Sequence, residues 1–245
     1  MQKYKINNLF SLKNKKVLIT GAAGGLGKKI TSLLLKNNAH VIATDISKIN
    51  LNHKNLIKIE KIDLTNKFDF EKFKKIIVRI KKINSLINFC GISHNESFKK
   101  IVEVNFTSTF DLLNYFTNYI SKNKIKNSSI INISSLNSEL GFSNNPGYVS
   151  SKGAIKMLTK SFAVDYAVNG MRFNNVGPGY FKTPMTKKKY ANAKERKKRV
   201  ERIPLGRYGN PEELFGIIAY LLSDASLYVT GQDFYIDGGF LAKGI

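Results

Sequence analysis

Residues 15–38 read KKVLIT, then GAAGGLG, then KKITSLLLKNN. The first part has the length and composition of a buried strand, and the last carries apolar residues at helical spacing. Between them, Gly21, Gly25 and Gly27 allow a tight turn in which a pyrophosphate can approach the free N–H groups of the helix start. Strand, turn and helix together predict a nucleotide site, although a glycine-rich turn can also be purely structural.

The next three predicted strands each end in residues suited to the same ligand. AHVIATD ends at Asp45, NLIKIEKIDLT is predicted to end at Asp63, and SLINFCG has Asn88 and Gly91 at its end. In an open parallel sheet, ligands lie beyond the carboxyl ends of the strands. We therefore predict an α/β fold, a single-domain Rossmann-type doubly wound parallel sheet with helices on both faces.

The acid at Asp45 is predicted to accept hydrogen bonds from both hydroxyls of an adenosine ribose. Its charge would repel a 2′-phosphate by up to about 4 kcal/mol at ~4 Å and an effective dielectric constant of roughly 20. No arginine occupies position 24 or 46, although Lys28 and Lys48 are close in sequence, so NAD is predicted rather than NADP. Asp45 can alternatively be a turn or cap residue, and Asp63 either contacts the adenine or caps the following helix.

A second motif lies in residues 130–152, IINISSLNSELGFSNNPGYVSSK, which contains Ser135, Tyr148 and Lys152. A Tyr and a Lys at positions i and i+4 share one helix face, so the ammonium of Lys152 is expected to lower the pKa of Tyr148. Ser135, arriving from a preceding strand, could bind the same substrate oxygen. On its own, however, Tyr-x3-Lys is a weak signal, which a surface Tyr and Lys one turn apart would also give.

Composition narrows the class of protein. The 245 residues, 42% of them hydrophobic, are expected to form one domain over 1–245. The sequence has no run of eighteen apolar residues, no secretory signal and one cysteine, Cys90, so we expect a cytoplasmic protein without a membrane span, disulfide or metal site. The net charge of +23 could attract a polyanion. The alternative is that the chain is simply rich in Lys, Asn and Ile, with lysines on solvated faces, and the spread of the lysines along the whole chain favours this interpretation.

With these features assembled, the chain resembles the short-chain dehydrogenase/reductase family from about Lys15 to Gly239. The motifs occur in order: TGAAGGLG at 20–27, Asp45, Asp63, NFCG at 88–91, Asn105 in VEVNFTSTF, Ser135, Tyr148, Lys152, NNVGPGYFKT at 174–183, IPLGRYGNPEEL at 203–214 and TGQDFYIDGG at 230–239. The number of ordered matches makes the resemblance specific.

The resemblance implies a role for each matching residue. Tyr148 would be the general acid/base, Ser135 would hold the substrate oxygen, Lys152 would bind the nicotinamide ribose, and Asn105 would hold a water in a proton relay. The implied cofactor-binding residues are Gly21, Gly25, Leu26, Gly27, Asp45, Ile46, Asp63, Leu64, Asn88, Gly91, Tyr148, Lys152, Pro178, Gly179, Phe181 and Thr183. Helices around 105–122 and 149–168 would pack against another subunit, in a tetramer or dimer, with ordinary core packing as the alternative.

Two departures from the family pattern concern the end of the fourth strand and the segment after it. Phe89 and Cys90 replace the usual Asn-Ala, while Asn88 and Gly91 remain. Asn88 and Asn105 are only seventeen residues apart, a spacing that implies a shortened segment beside the substrate and a more open pocket.

Residues 184–204 correspond to the substrate lid of the family. Between 187 and 202 there are nine basic residues and two acids, which would attract an anionic substrate unless they form a solvated helix face. His94, Ser135, Asn137, Phe142 and Tyr180 are predicted to line the substrate pocket.

The sequence therefore predicts an NAD-dependent oxidoreductase that interconverts a secondary alcohol and a ketone, acting on a small-molecule sugar, polyol or hydroxy acid. The alternative is a 3-oxoacyl-[acyl-carrier-protein] reductase-like enzyme, for which the basic lid is the main argument. A third possibility is a non-catalytic protein that binds the cofactor or nucleic acid, but Ser135, Tyr148 and Lys152 are all retained. We expect neither specific nucleic-acid binding nor membrane association.

Overall fold

Seven parallel strands form one sheet in the order β3-β2-β1-β4-β5-β6-β7. The computed structural model describes residues 9–93 and 96–243, apart from the side chains of residues 188 and 189. The strands are β1 (Lys16–Thr20), β2 (His40–Asp45), β3 (Leu56–Glu60), β4 (Ser85–Asn88), β5 (Ser128–Ile133), β6 (Met171–Pro178) and β7 (Asp233–Ile236). The order of the strands reverses at β1, which pairs with both β2 and β4, and a ligand crevice is expected beyond that point.

Helices connect the strands and cover both faces of the sheet. The α-helices are α1 (Gly25–Lys36), α2 (Lys67–Arg79), α3 (Phe98–Val102), α4 (Ser108–Lys122), α5 (Pro146–Tyr166), α6 (Lys187–Ala191), α7 (Ala193–Val200) and α8 (Phe215–Leu222). A π-helical turn, Glu103–Thr107, joins α3 to α4, and 3₁₀ turns span Leu136–Ser138, Ala167–Asn169, Pro211–Leu214 and Asp224–Ser226. The predicted helices around 105–122 and 149–168 correspond to the π-turn with α4 and to α5.

The core has two apolar layers because successive strand residues point to opposite faces of the sheet. Val17 and Ile19 of β1 pack in the layer that contains α1 and α8. Leu18, between them, packs in the layer that contains α2, α4 and the aromatic residues of α5. This alternation confirms the predicted doubly wound architecture with helices on both faces.

The third strand is shorter than predicted. It ends at Glu60 and not at Asp63, because Lys61 takes a left-handed conformation with φ of 56° that turns the chain out of the sheet. The helix that begins after Asp63 is capped by Asn66, whose side chain accepts hydrogen bonds from the N–H groups of Phe68 and Asp69. The alternative in which Asp63 caps this helix is therefore wrong.

Over residues 9–93 and 96–243, no helix combines the length and the apolar character needed to cross a bilayer. Within the same ranges, no group of three or more His, Cys, Asp or Glu side chains is arranged to hold a metal ion.

Candidate active site

The glycine-rich turn between β1 and α1 is shaped by two close backbone approaches. A Cβ on Gly27 would lie 2.1 Å from the carbonyl oxygen of Gly21, and one on Gly21 would lie 2.8 Å from the carbonyl carbon of Phe89. Gly21 also has φ of 66°, which side chains other than glycine rarely adopt. Only glycine fits both positions. The turn thus brings the exposed N–H groups at the start of α1 close to the end of β4, as a pyrophosphate site requires.

A first cavity of about 440 Å³ lies beyond the ends of β1, β2 and β4. Asp45 is in its wall and is held by two backbone donors: the N–H groups of Ala23 and Ser47 donate to its Oδ2 and Oδ1, each at 2.8 Å. The predicted cofactor residues that line it are Gly21, Asp45, Ile46, Asp63, Leu64 and Gly91. Asp45 therefore does both things that the sequence allowed: it stabilises the turn through these two hydrogen bonds and it lines the cavity.

Asp63 lies in the same cavity wall, where its carboxylate accepts hydrogen bonds from Thr65 N–H at 2.9 Å and Thr65 Oγ1 at 2.7 Å. Thr65 and Lys100 also line this cavity, and Lys100 Nζ lies 3.2 Å from Glu103 Oε2. Sequence reasoning did not single out Thr65, which lies in the turn after β3, or Lys100, which is on α3 in the shortened segment after β4.

Asn88 has a different place from the one predicted. Its buried side chain donates to Thr109 Oγ1 at 2.9 Å and accepts from Thr20 Oγ1 and from Cys90 N–H. These bonds link β1, β4 and α4, and Asn88 lines neither this cavity nor the two that adjoin the candidate catalytic residues. Cys90 is in the wall of the first cavity, and burial raises the pKa of its thiol to about 11, so the thiol is neutral and a poor nucleophile.

A second cavity, of about 200 Å³, joins the glycine-rich turn to the candidate catalytic residues. Its wall includes Gly25, Leu26 and Gly27 on one side and Ser135, Tyr148 and Lys152 on the other. Gly21 and Gly91 belong to the walls of both cavities. The second cavity thus continues the first toward the residues that the sequence suggested for proton transfer.

Tyr148 and Lys152 lie one turn apart on α5, with the Lys152 Nζ 5.6 Å from the centre of the Tyr148 ring. The same Nζ donates to the carbonyl oxygen of Ile133 at the end of β5, at 2.7 Å. Ser135 lies just after β5 and hydrogen-bonds the Tyr148 hydroxyl, while its own Oγ lies 3.1 Å from Asn137 Oδ1. The end of β5 and the first turns of α5 therefore bring all three residues together, as predicted.

The direction of the pKa shift at Tyr148 differs from the prediction. Burial raises the pKa of Tyr148, and the hydrogen bond from Ser135 lowers it by less. Burial also lowers the pKa of Lys152 to about 8, since the ammonium lies in a low-dielectric environment. Desolvation is thus the largest cause of the pKa shift of both groups.

Asn105 is buried in the π-helical turn and bridges three segments. Its Nδ2 donates to Ser151 Oγ at 3.0 Å and to the carbonyl oxygen of Ile92 at 2.9 Å, while its Oδ1 accepts from Ile92 N–H at 2.8 Å. A Cβ on Gly91 would lie 3.4 Å from Asn105 Oδ1 and 3.5 Å from Lys152 Nζ. Asn105 and Lys152 thus meet at Gly91, and the water relay through Asn105 stays a prediction.

A third cavity, of about 550 Å³, opens on the other side of Ser135 and Tyr148. Asn137, Phe142 and Tyr180 line it as predicted, and His94 lies outside the described residues. Of the predicted cofactor-binding residues after β6, Pro178 and Gly179 line both the second and the third cavity, whereas Phe181 and Thr183 line only the second. Sequence reasoning missed Arg199 and Tyr208 in the third cavity. Arg199 belongs to the basic run in 184–204, but the run alone does not indicate which cation faces inward.

The structure thus contains a cradle suited to a dinucleotide, a Ser-Tyr-Lys group at its end and a larger cavity beyond. Residues 21–241 match the family described as Enoyl-(Acyl carrier protein) reductase. The chain is 37% identical to a 3-oxoacyl-[acyl-carrier-protein] reductase from Thermotoga maritima, over 94% of this chain and 99% of the relative.

Two solved structures are similar over almost their whole length. One is a 4-hydroxyisoleucine dehydrogenase complexed with NADH, with a TM-score of 0.88, 30% identity and coverage of 94% of this chain and 100% of that one. The other is a gluconate 5-dehydrogenase from Burkholderia cenocepacia J2315 in complex with NADP and tartrate, with a TM-score of 0.88, 25% identity and coverage of 98% and 100%.

Proposed function

Because this chain belongs to the short-chain dehydrogenase/reductase family of NAD(P)-dependent oxidoreductases, we propose that it interconverts a small hydroxy acid, such as a sugar acid, and the corresponding ketone, with NAD as its cofactor. One observation supports the proposal: the three cavities adjoin one another, and Ser135 and Tyr148 lie between the nucleotide side and the larger third cavity. A substrate in that cavity would meet the proton-transfer group beside the nicotinamide end of the cradle.

The bound nicotinamide cofactor would supply the acceptor or donor of the hydride. Tyr148 Oη takes the proton of the substrate hydroxyl during oxidation and returns it to the carbonyl oxygen during reduction. Ser135 Oγ donates a hydrogen bond to that oxygen and so stabilises the charge that develops on it. Lys152, fixed by the carbonyl of Ile133, holds its ammonium beside the phenol and favours the phenolate once the cofactor is in place.

The preference for NAD is supported by Asp45, whose two oxygens are held in the first cavity by N–H groups of Ala23 and Ser47. A carboxylate there accepts hydrogen bonds from ribose hydroxyls and repels a 2′-phosphate. The other roles proposed for the Gly-rich turn, Asp63, the Pro178–Gly179 segment and Thr183 rest on the same resemblance to the family.

The lid, the assembly and the compartment form part of the same proposal. Helices α6 and α7 lie within residues 184–204 and would close over the substrate. Exposed apolar residues on α4 and α5, namely Phe110, Met157 and Val164, would pack in a homodimer or homotetramer. The single thiol of Cys90 suits a reducing cytoplasm.

A second candidate is reduction of a 3-oxoacyl group on a carrier. It is supported by the 37% identity to the Thermotoga maritima reductase and by the basic residues of α7. The two candidates differ in what they predict for substrates: a short hydroxy acid in one case and a thioester such as acetoacetyl-CoA in the other.

The test is a panel of D-gluconate, D-glucitol and acetoacetyl-CoA assayed with both nicotinamides, for the wild type, Tyr148→Phe and Tyr115→Phe. Tyr148→Phe is expected to lose about 10²- to 10⁴-fold in kcat and to retain cofactor binding. Tyr115, whose hydroxyl donates to the carbonyl oxygen of Lys74 far from the cavities, is the matched control and should retain full activity. Equal activity of the two variants would contradict the role of Tyr148, and turnover of the thioester alone would favour the second candidate.

A further inference from the structure

The third cavity has an uneven distribution of charge. Its described lining consists of apolar, hydroxyl and amide side chains together with one formal charge, the guanidinium of Arg199. No carboxylate is among these lining residues. Arg199 is on α7, and of the basic side chains described between 187 and 202 it is the one that lines the cavity. Arg196 and Arg202 instead lie against the rings of Tyr190 and Phe240, outside this lining.

Arg199 is held in place from two sides. Its Nη1 donates to the backbone carbonyl of Glu195 at 3.0 Å and to Glu195 Oε2 at 2.5 Å. Its guanidinium carbon lies 5.9 Å from the centre of the Tyr180 ring, which also lines the cavity. The Arg199 side chain is mostly buried, whereas that of Glu195 is 44% exposed, so the acid reaches the pair from the solvent side.

Tyr208 is a second polar group in the same wall. Its side chain is almost fully buried, it packs against Tyr180 and Tyr190 with ring centres 5.6 and 5.1 Å apart, and its hydroxyl has no hydrogen-bond partner among the described residues. A buried hydroxyl without a hydrogen-bond partner is unfavourable, because it has lost its bonds to water and gained none in the protein. A ligand oxygen that reached Tyr208 beside Arg199 would remove that penalty.

We propose that Arg199, with Tyr208 beside it, forms a subsite that binds the carboxylate of the substrate and thereby selects hydroxy acids over uncharged polyols. This inference rests on the proposed function, since it names the substrate group that occupies the third cavity. A guanidinium presents a planar set of donors that matches a carboxylate, and such charged hydrogen bonds are about twice as strong as neutral ones.

Glu195 is the internal competitor in this arrangement. Its carboxylate lies at position i and Arg199 at i+4 of the same helix, where it neutralises part of the charge of the guanidinium. A substrate carboxylate that arrives from the cavity side shares or replaces this contact. Removal of the Glu195 charge should therefore strengthen the binding of carboxylates, and removal of the Arg199 charge should weaken it.

The experiment compares D-gluconate with D-glucitol, which differ in the carboxylate, in the wild type, Arg199→Met and Glu195→Gln. Arg199→Met should raise KM for D-gluconate about 10- to 100-fold, the range of one charged hydrogen bond, with a smaller change in kcat and none for D-glucitol. Glu195→Gln should lower KM for D-gluconate. Arg199→Lys, which keeps the charge but loses the planar fork, should fall between the wild type and Arg199→Met.

A titration with succinate at low ionic strength measures the subsite without turnover. Binding by the wild type that is lost in Arg199→Met and strengthened in Glu195→Gln supports the subsite even if none of the alcohols is oxidised. Equal succinate binding, or equal KM for D-gluconate, in the wild type and Arg199→Met overturns it. If D-gluconate is oxidised by the wild type and not by Tyr148→Phe, while Arg199→Met behaves as the wild type, the proposed function stands and the subsite is refuted.

Discussion

Replacement of Asp45 by Asn tests the cofactor preference directly, because it removes one charge from the first cavity and keeps the size of the side chain. The carboxylate holds two backbone N–H groups, those of Ala23 and Ser47, each at 2.8 Å. The Oδ1 of Asn can accept one of these bonds, so the turn loses one hydrogen bond, worth about 1 kcal/mol. The larger effect is expected on the preference for NAD over NADP.

The size of the expected change in cofactor preference follows from the charge that is removed. A 2′-phosphate about 4 Å from the carboxylate is repelled by up to roughly 4 kcal/mol at an effective dielectric constant near 20. About 1.4 kcal/mol corresponds to a factor of ten. Full removal of this repulsion would therefore change the ratio of kcat/KM for NAD to kcat/KM for NADP by about 10³-fold. The cavity is open to solvent, so screening reduces the effect, and we expect a decrease of the ratio by about 10- to 10³-fold.

The assay is kcat/KM for NAD and for NADP, measured with one substrate for the wild type, Asp45→Asn and Asp63→Asn. Asp63→Asn is the matched control, because it removes the same charge from the same cavity at a residue assigned to the adenine side. Its ratio should change less than that of Asp45→Asn. A ratio unchanged in Asp45→Asn, or changed equally in both variants, would refute the assignment of Asp45 to the ribose.

Three further predictions concern the glycine-rich turn, Lys152 and the core. Gly27→Ala places a Cβ 2.1 Å from Gly21 O and should weaken NAD binding at least tenfold by fluorescence titration, whereas Gly216→Ala, with open space around it, should leave binding unchanged. Lys152 has its pKa lowered to about 8, so between about pH 8 and 10.5 the unfolded chain binds its proton more strongly and the contribution of Lys152 to the free energy of unfolding rises with pH; because the raised pKa of Cys90 acts in the opposite direction above about pH 9, the rise is measured in urea titrations as the wild type minus Lys152→Met, and a difference independent of pH would contradict it. Phe73→Ala empties a fully buried site and should lower the free energy of unfolding by about 3–5 kcal/mol, and a loss below 1 kcal/mol would contradict its place in the core.

The spacing of residues within short segments was sufficient to predict much of the fold and of the candidate site. The strand, turn and helix of residues 15–38 were predictable because hydrophobic period and glycine position are properties of adjacent residues. The pairing of Tyr148 with Lys152 results from helical geometry alone. Asp45 was predictable because β2 carries it to the sheet edge at which β1 also ends.

Other features depended on residues distant in sequence. Asn88 hydrogen-bonds Thr20 and Thr109 and does not line a cavity. The pKa of Tyr148 is raised because packing around α5 removes water from the phenol. The resemblance to the family supplied the roles of the candidate residues, but it did not indicate these environments.

The layered sheet, the glycine-rich turn and the candidate catalytic group follow from local sequence, since each depends on short repeats and fixed spacings along one segment. Packing of the whole chain was needed to identify Arg199 as the cation of residues 187–202 that lines the third cavity, and Tyr208 as a lining residue whose hydroxyl has no hydrogen-bond partner among the described residues. Burial and direction of a side chain depend on which distant elements pack against it, and a local segment does not contain that information. Arg199 is held in place by Glu195 on its own helix and by the ring of Tyr180, a residue that follows β6.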